Sequence, residues 1–197
     1  MHVDYYFTPV SPWAFLGHAR FAQLLKDHGA TVKVMPVDYG QIFPVSGGLP
    51  LGKRAPQRQA YRLVELKRFG DHLGVPLNVK PKFFPVNADL ASRLLVATAN
   101  AQGEPAALDL AGRLGTAVWV QERDIADPAT LQALLSEAGL PAVLLDDAAA
   151  PAVAEACAGY TARAIDAGVF GAPSYVVDGE IFWGQDRLDF LARRLAG

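Results

Sequence analysis

The sequence contains a single cysteine, Cys157, in 197 residues. No intramolecular disulfide can form, and a C-x-x-C redox pair or a cysteine-rich zinc site is excluded. Net charge is also scarce, −2 with 19% charged residues. Nucleic-acid binders carry a basic excess to neutralise phosphates, so no such partner is expected. No run reaches the roughly 18 apolar residues of a membrane-crossing helix. The start, MHVDYYF, has neither the basic beginning nor the apolar stretch of a signal peptide. A cytoplasmic setting without a membrane partner is the expectation. His2, His18, His28 and His72 have no ligand spacing to carboxylates or cysteine, so no metal site is expected. Glycine-rich phosphate signatures and a G-x-S-x-G elbow are missing as well.

Apolar residues, by contrast, make up 51% of the chain, which excludes a disordered protein. The size suits one domain, or one domain with a large insertion. Val3, Tyr5 and Phe7 alternate with His2, Asp4 and Tyr6, and Tyr6 makes both faces partly apolar, as in a central strand. Thr8-Pro9-Val10 breaks that strand. Ser11-Pro12 reads as N-cap and first helical residue, because Ser offers an acceptor to free N–H groups and Pro has no N–H to satisfy. The spacing predicts a helix over 12–27, ended by His28-Gly29, and a second strand over 31–37. Strand, helix and strand in so short a stretch form a βαβ unit with parallel strands.

The end of the chain has a different rhythm. GAPSYVVDGEIFWGQDRLDFLARRL reads as strand, Asp178-Gly179 turn, strand, a break at Gly184 and a helix from about Asp186. An alanine-rich helix over about 148–167 precedes it. The middle, 38–147, has no alternation and reads as helices near 55–73, 88–101, 104–120 and 128–138 between Pro/Gly loops. Assembled, residues 1–37 and 148–197 make a small α/β domain with a mixed four-stranded sheet, the thioredoxin arrangement. It is interrupted by a large all-helical insertion over 38–147.

From the pattern alone, Ser11 caps its helix, Pro173 is a loop proline before a strand, and Asp186 is an N-cap beside a core Trp183. The two ends together, VDYYFTPVSPWAFL and GVFGAPSYVVDGEIFWGQDRLDFL, resemble 2-hydroxychromene-2-carboxylate isomerases, which belong with kappa-class glutathione transferases and DsbA-like proteins. In thioredoxin-like proteins a nucleophilic cysteine sits at the first strand-to-helix junction; here Ser11 does, and residue 14 is Ala. A disulfide oxidoreductase is therefore not expected. Nothing near Ser11 in sequence suggests a base that would make it a direct nucleophile.

The resemblance implies that glutathione is the cofactor and that Ser11 is the catalytic residue, lowering the pKa of its thiol. Taking an ordinary thiol from about 8.5 to about 7 requires ~2 kcal/mol. A helix N-terminus and a hydroxyl hydrogen bond together supply that much. A cis Ala172–Pro173 bond would present the Ala172 backbone to the tripeptide in strand fashion. Trp183, Gly184, Gln185 and Asp186 would hold its γ-glutamyl end, with Asp186 taking the ammonium. Lys53 and Arg54, in a Gly/Pro loop before a cation-bearing helix, and Asn87, after the run Lys82-Phe83-Phe84-Pro85-Val86, would bind a small aromatic carboxylate substrate.

The resemblance further implies conversion of 2-hydroxychromene-2-carboxylate to trans-o-hydroxybenzylidenepyruvate, in the degradation of naphthalene-like aromatics, by a homodimer. Two alternatives stay open: a kappa-type transferase or peroxidase that consumes glutathione, and a non-catalytic binding or scaffold protein. Cys157, within EACAGY on the alanine-rich helix, reads as a small buried hydrophobe.

Overall fold

The computed structural model describes residues 1–197. In chain order the elements are β1 (His2–Phe7), α1 (Pro12–Asp27), β2 (Thr31–Pro36), α2 (Tyr39–Ser46), α3 (Pro56–Leu73), α4 (Asp89–Gln102), α5 (Glu104–Trp119), α6 (Pro128–Glu137), α7 (Leu144–Asp147), α8 (Pro151–Asp166), β3 (Ser174–Val177), β4 (Glu180–Trp183) and α9 (Leu188–Ala196). Single 3-10 turns cover Leu51–Lys53 and Gln185–Arg187.

The strands form one sheet in the order β2-β1-β3-β4. β1 runs parallel to β2 and antiparallel to β3, and β3 pairs antiparallel with β4 across the Asp178-Gly179 turn. This is the mixed four-stranded sheet expected of a thioredoxin-like chain. Its alternation sorts side chains to two cores. Val3, Tyr5, Phe7, Tyr175 and Val177 join a cluster of 35 buried residues with α1, α4, α5, α6 and α9. Tyr6, Met35 and Val176 point the other way, to a cluster of 8 with Tyr39 and Ile42 of α2 and Ala164 of α8. Helices therefore cover both faces, which is why Tyr6 can be as buried as its neighbours.

The helix over 12–27 begins and ends where the cap chemistry places it. Two short helices, α2 and α7, lie outside the expected elements: α2 is capped by the Asp38 carboxylate, which accepts from the Gly40 N–H (2.7 Å), and by Gly47 in the left-handed region, but has Pro44 inside it, and α7 is one turn long. Both depend on packing, Ile42 and Leu144 being fully buried. The last helix starts later than expected. A 3-10 turn occupies Gln185–Arg187 and α9 begins at Leu188. The edge strand β2 is sealed by a side chain from the helical middle: Glu104, at the start of α5, accepts from the Val34 N–H (2.8 Å) and pairs with Lys33 (2.8 Å).

Candidate active site

Sheet register gathers residues that are far apart in sequence. Tyr6 pairs with Ser174 and Ser174 with Trp183, so the exit of β1, the entrance to β3 and the exit of β4 lie at one end of the sheet. Ser11 follows β1 there, Ala172–Pro173 precedes β3, and Gly184 follows β4. The Gly184 N–H donates to the Pro173 carbonyl (2.8 Å), continuing the ladder one step past the strands. The Ala172–Pro173 bond is cis. Two hydroxyls hold the loop before it: Tyr39 Oη (2.9 Å) and Ser174 Oγ (2.7 Å) both donate to the Gly171 carbonyl.

Ser11 is 7% exposed and sits with extended backbone at the N-cap of α1. Its Oγ accepts from the Ala14 N–H (3.2 Å), and its carbonyl accepts from the Phe15 N–H (3.0 Å). An accepting hydroxyl keeps its own proton free to donate. Pro12 has no N–H, so the Trp13 N–H is the one first-turn donor left without a partner in the chain. Two donors thus converge at the positive end of a 16-residue helix, an arrangement that favours an anion. The Ala172 N–H and C=O also enter no hydrogen bond of the chain. Together they present one donor and one acceptor, the pair an extended peptide needs for strand-like docking.

The turn after β4 is built around Gly184, whose φ of +103° suits glycine alone. A Cβ there would also lie 2.5 Å from Asp186 Oδ1. Gln185 is buried, and its backbone and side-chain carbonyls both accept from Arg20 Nη2 of α1, the former at 3.0 Å. Asp186 is exposed and takes an ion pair from Arg187 (2.6 Å). Trp183 is 50% exposed and stands edge-on to Phe170, so it is not a core residue.

The residues expected on the substrate side are more scattered. Lys53 ends the 3-10 turn, exposed and without an ion pair. Arg54 Nε donates to the Leu49 carbonyl (2.8 Å), and its guanidinium lies over Phe43, 6.0 Å from the centroid. Phe43 in turn touches Tyr39, which holds Gly171, so contacts run from Arg54 to the Ala172–Pro173 loop. Asn87 is exposed, and its Oδ1 accepts from the Asp89 N–H (2.9 Å), which tightens the entry to α4. Cys157 packs against the core, and burial pushes its thiol up to about 11, with Asp89 adding to the rise against the opposing pull of Arg93. It stays a protonated, unreactive thiol at neutral pH.

A cleft of about 410 Å³ opens on the α1–α5 seam, lined by Phe15, His18, Asp109, Thr116 and Glu137 among others, and Ser11 is not part of its wall. His18 is held neutral there: burial lowers its pKa to about 4 against an upward pull from Asp109.

Two residues escaped the sequence reading. Arg20, within the helix expected over 12–27, was not among the candidate residues, yet it pins Gln185. Arg62 looked like one of several surface cations, yet it is half-buried over two aromatic rings. A signal for Arg62 was present, since no acidic residue occurs between Asp38 and Glu65.

A family model described as a DSBA-like thioredoxin domain matches residues 2–196. The chain is 27% identical to a 2-hydroxychromene-2-carboxylate isomerase of Sphingobium xenophagum, over 96% of this chain and 95% of that protein. It is 29% identical to one of Pseudomonas putida, over 97% and 92%. A solved structure of a 2-hydroxychromene-2-carboxylate isomerase superposes with a TM-score of 0.79 at 25% identity, covering 100% of this chain and 95% of that one.

Proposed function

We propose that this chain, which belongs to the family of DSBA-like thioredoxin domains, is an isomerase that uses glutathione to convert 2-hydroxychromene-2-carboxylate to trans-o-hydroxybenzylidenepyruvate. The relatives named as isomerases of that acid, matched over nearly their whole length, support the reaction class. One structural observation carries the cofactor: the free Ala172 amide and carbonyl stand at the same sheet end as the Ser11 hydroxyl and the Trp13 N–H. A cysteine-containing tripeptide fits that set, with its backbone on Ala172 and its sulfur at the helix N-terminus.

Ala172, Ser11 and the α1 N-terminus would hold glutathione, and its thiolate would supply a nucleophile for reversible addition to the substrate's conjugated chain. The chain's own part is electrostatic. The Ser11 hydroxyl donates to the sulfur anion and the α1 N-terminus favours its charge, so the thiol loses its proton nearer neutral pH. Cys157 cannot substitute, being protonated and distant in role. Gly184 lets the turn after β4 approach the γ-glutamyl end, where Asp186 receives the ammonium in competition with Arg187. Lys53, Arg54 and Asn87 orient the substrate carboxylate.

Incubation with glutathione and the chromene acid, following trans product and free thiol together, tests the reading. Product should accumulate with the thiol unchanged. Steady thiol loss without trans product would establish a transferase or peroxidase instead, and absence of glutathione binding by calorimetry would leave a non-catalytic protein. Ser11→Ala should slow turnover at pH 7 by about 10- to 100-fold, the worth of one charge-assisted hydrogen bond. Its pH–rate profile should move to higher pH; an unmoved profile rejects the role given to Ser11.

A further inference from the structure

Between Asp38 and Glu65 the chain carries Lys53, Arg54, Arg58 and Arg62 and no acid. The two acids of α3 are engaged with their own neighbours, Glu65 with Arg68 (2.7 Å) and Asp71 with Lys67 (2.6 Å). None of the chain's ion pairs includes Arg54, Arg58 or Arg62. Arg62 is half-buried, and its guanidinium lies 5.3 Å from the Phe84 ring centroid and 5.9 Å from that of Trp119. Burial, with Arg54 nearby, lowers its pKa to about 10, so it remains a cation at neutral pH. Beside it, the Trp119 Nε1–H is fully buried without an acceptor.

A partly desolvated cation without a counter-ion is unfavourable, and a second guanidinium close by makes it more so. The two rings return only part of that cost. Packing alone would be better served by an apolar residue on Phe84 and Trp119. A ligand anion supplies the missing counter-charge, and the partly buried Phe84 ring offers an apolar neighbour for an aromatic group.

The position also suits the proposed site. Arg62 and Phe69 share a face of α3, seven residues and about 10 Å apart along its axis. Phe69 meets Trp13 edge-on, 5.8 Å between centroids, two residues from Ser11. Resting on the reading above, we infer that Arg62 is the principal seat for the carboxylate of an aromatic acid, held over Phe84 and Trp119, with Arg54 as its second cation.

Calorimetric titration with trans-cinnamate and with its neutral amide tests this on the intact protein. The wild type should prefer the carboxylate by roughly 10- to 100-fold, the range of a charge-assisted pair. Arg62→Met, which keeps an unbranched side chain at the position and removes the charge, should reduce that preference to less than about threefold while glutathione affinity is unchanged. A wild type without preference, or an Arg62→Met protein that keeps it, overturns the inference. Should Arg62→Met not fold, Arg62→Lys decides: it keeps the charge and loses the planar fork, so a preference falling about three- to tenfold is expected and an unchanged one overturns the seat. The two proposals fail separately. Trans product formed with a KM unmoved by Arg62→Met removes the seat alone. Arg62-dependent cinnamate binding in a protein that makes no trans product with glutathione removes the isomerase reading alone.

Discussion

The sheet end around Ser11 and the face of α3 around Arg62 are built by different means. At the sheet end the offered groups are backbone N–H and C=O and one short hydroxyl, placed by strand register and a helix cap. Ordering them needs little side-chain entropy. On α3 and the turn before it the offered groups are the ends of long arginines, placed by the rings their guanidinium groups lie over, Phe43 for Arg54 and Phe84 with Trp119 for Arg62. The first arrangement suits a constant partner recognised through its peptide backbone. The second suits a substrate that can be exchanged for another by altering a few side chains. One buried cluster of 35 residues nevertheless runs from the sheet through α4, α5 and α6, so the two regions share a core.

His18 lies on the α1–α5 seam beside that core, in a cleft with Asp109, Arg113 and Glu137. Its pKa near 4 in the fold lies below the ordinary value of 6.5. The unfolded chain therefore binds more protons between these values, and stability falls as pH drops through about 6.5 and levels off below about 4. The full loss is about 3 kcal/mol. Urea unfolding at pH 7, 5.5 and 4.5 should show about 2 kcal/mol of extra acid sensitivity by pH 4.5 in the wild type over His18→Gln, with sheet and helical signals lost together. Equal pH dependence in the two proteins removes the claim.

A smaller effect isolates the sheet end. Gly17 of α1 is so close to the turn after β4 that an added Cβ would lie 2.8 Å from Gln185 Cβ and 3.2 Å from Tyr175 Oη. Gly17→Ala should cost about 1–3 kcal/mol by overpacking. It should weaken glutathione binding by displacing that turn and leave the cinnamate preference as it was; a loss of the preference instead would mean that the two regions are not independent.

The least effect belongs to Asn87. Asn87→Ser keeps an acceptor for the Asp89 N–H and removes the amide donor. Its KM for the chromene acid should rise about two- to fivefold, less than one neutral hydrogen bond at full strength, with stability within about 0.5 kcal/mol of wild type. An unchanged KM confines Asn87 to the entry of α4.

These two regions were also unequally legible before the structure was known. Ser11-Pro12, Asp178-Gly179 and Gly184 announce themselves because caps and tight turns accept few residue types, whatever surrounds them. Position 14 and the lone Cys157 excluded disulfide chemistry outright. By contrast, α2 was hidden although Asp38 and Gly47 cap it, because its internal Pro44 breaks the helical pattern and its hold on the fold comes from Ile42 and Tyr39 packing against α8 and the sheet. Trp183 read as core and is half exposed, because periodicity cannot tell which face of an edge strand is covered. Arg62 shared its acid-free stretch with Arg54 and Arg58; only the rings beneath it set it apart from Arg58.

Taken alone, then, the order of residues determined the strand–helix starts and stops, the hairpin, the cap at Ser11 and the absence of a thiol pair. Each of these is decided by φ/ψ preference, hydrogen-bonding capacity or a missing atom within a few residues. What brought Ser11, Ala172 and Gly184 to one end of a sheet, and put an unpaired guanidinium over Phe84 and Trp119, was decided only in the folded molecule. Strand register and burial are properties of contacts between distant segments, and no local pattern encodes which surfaces will meet.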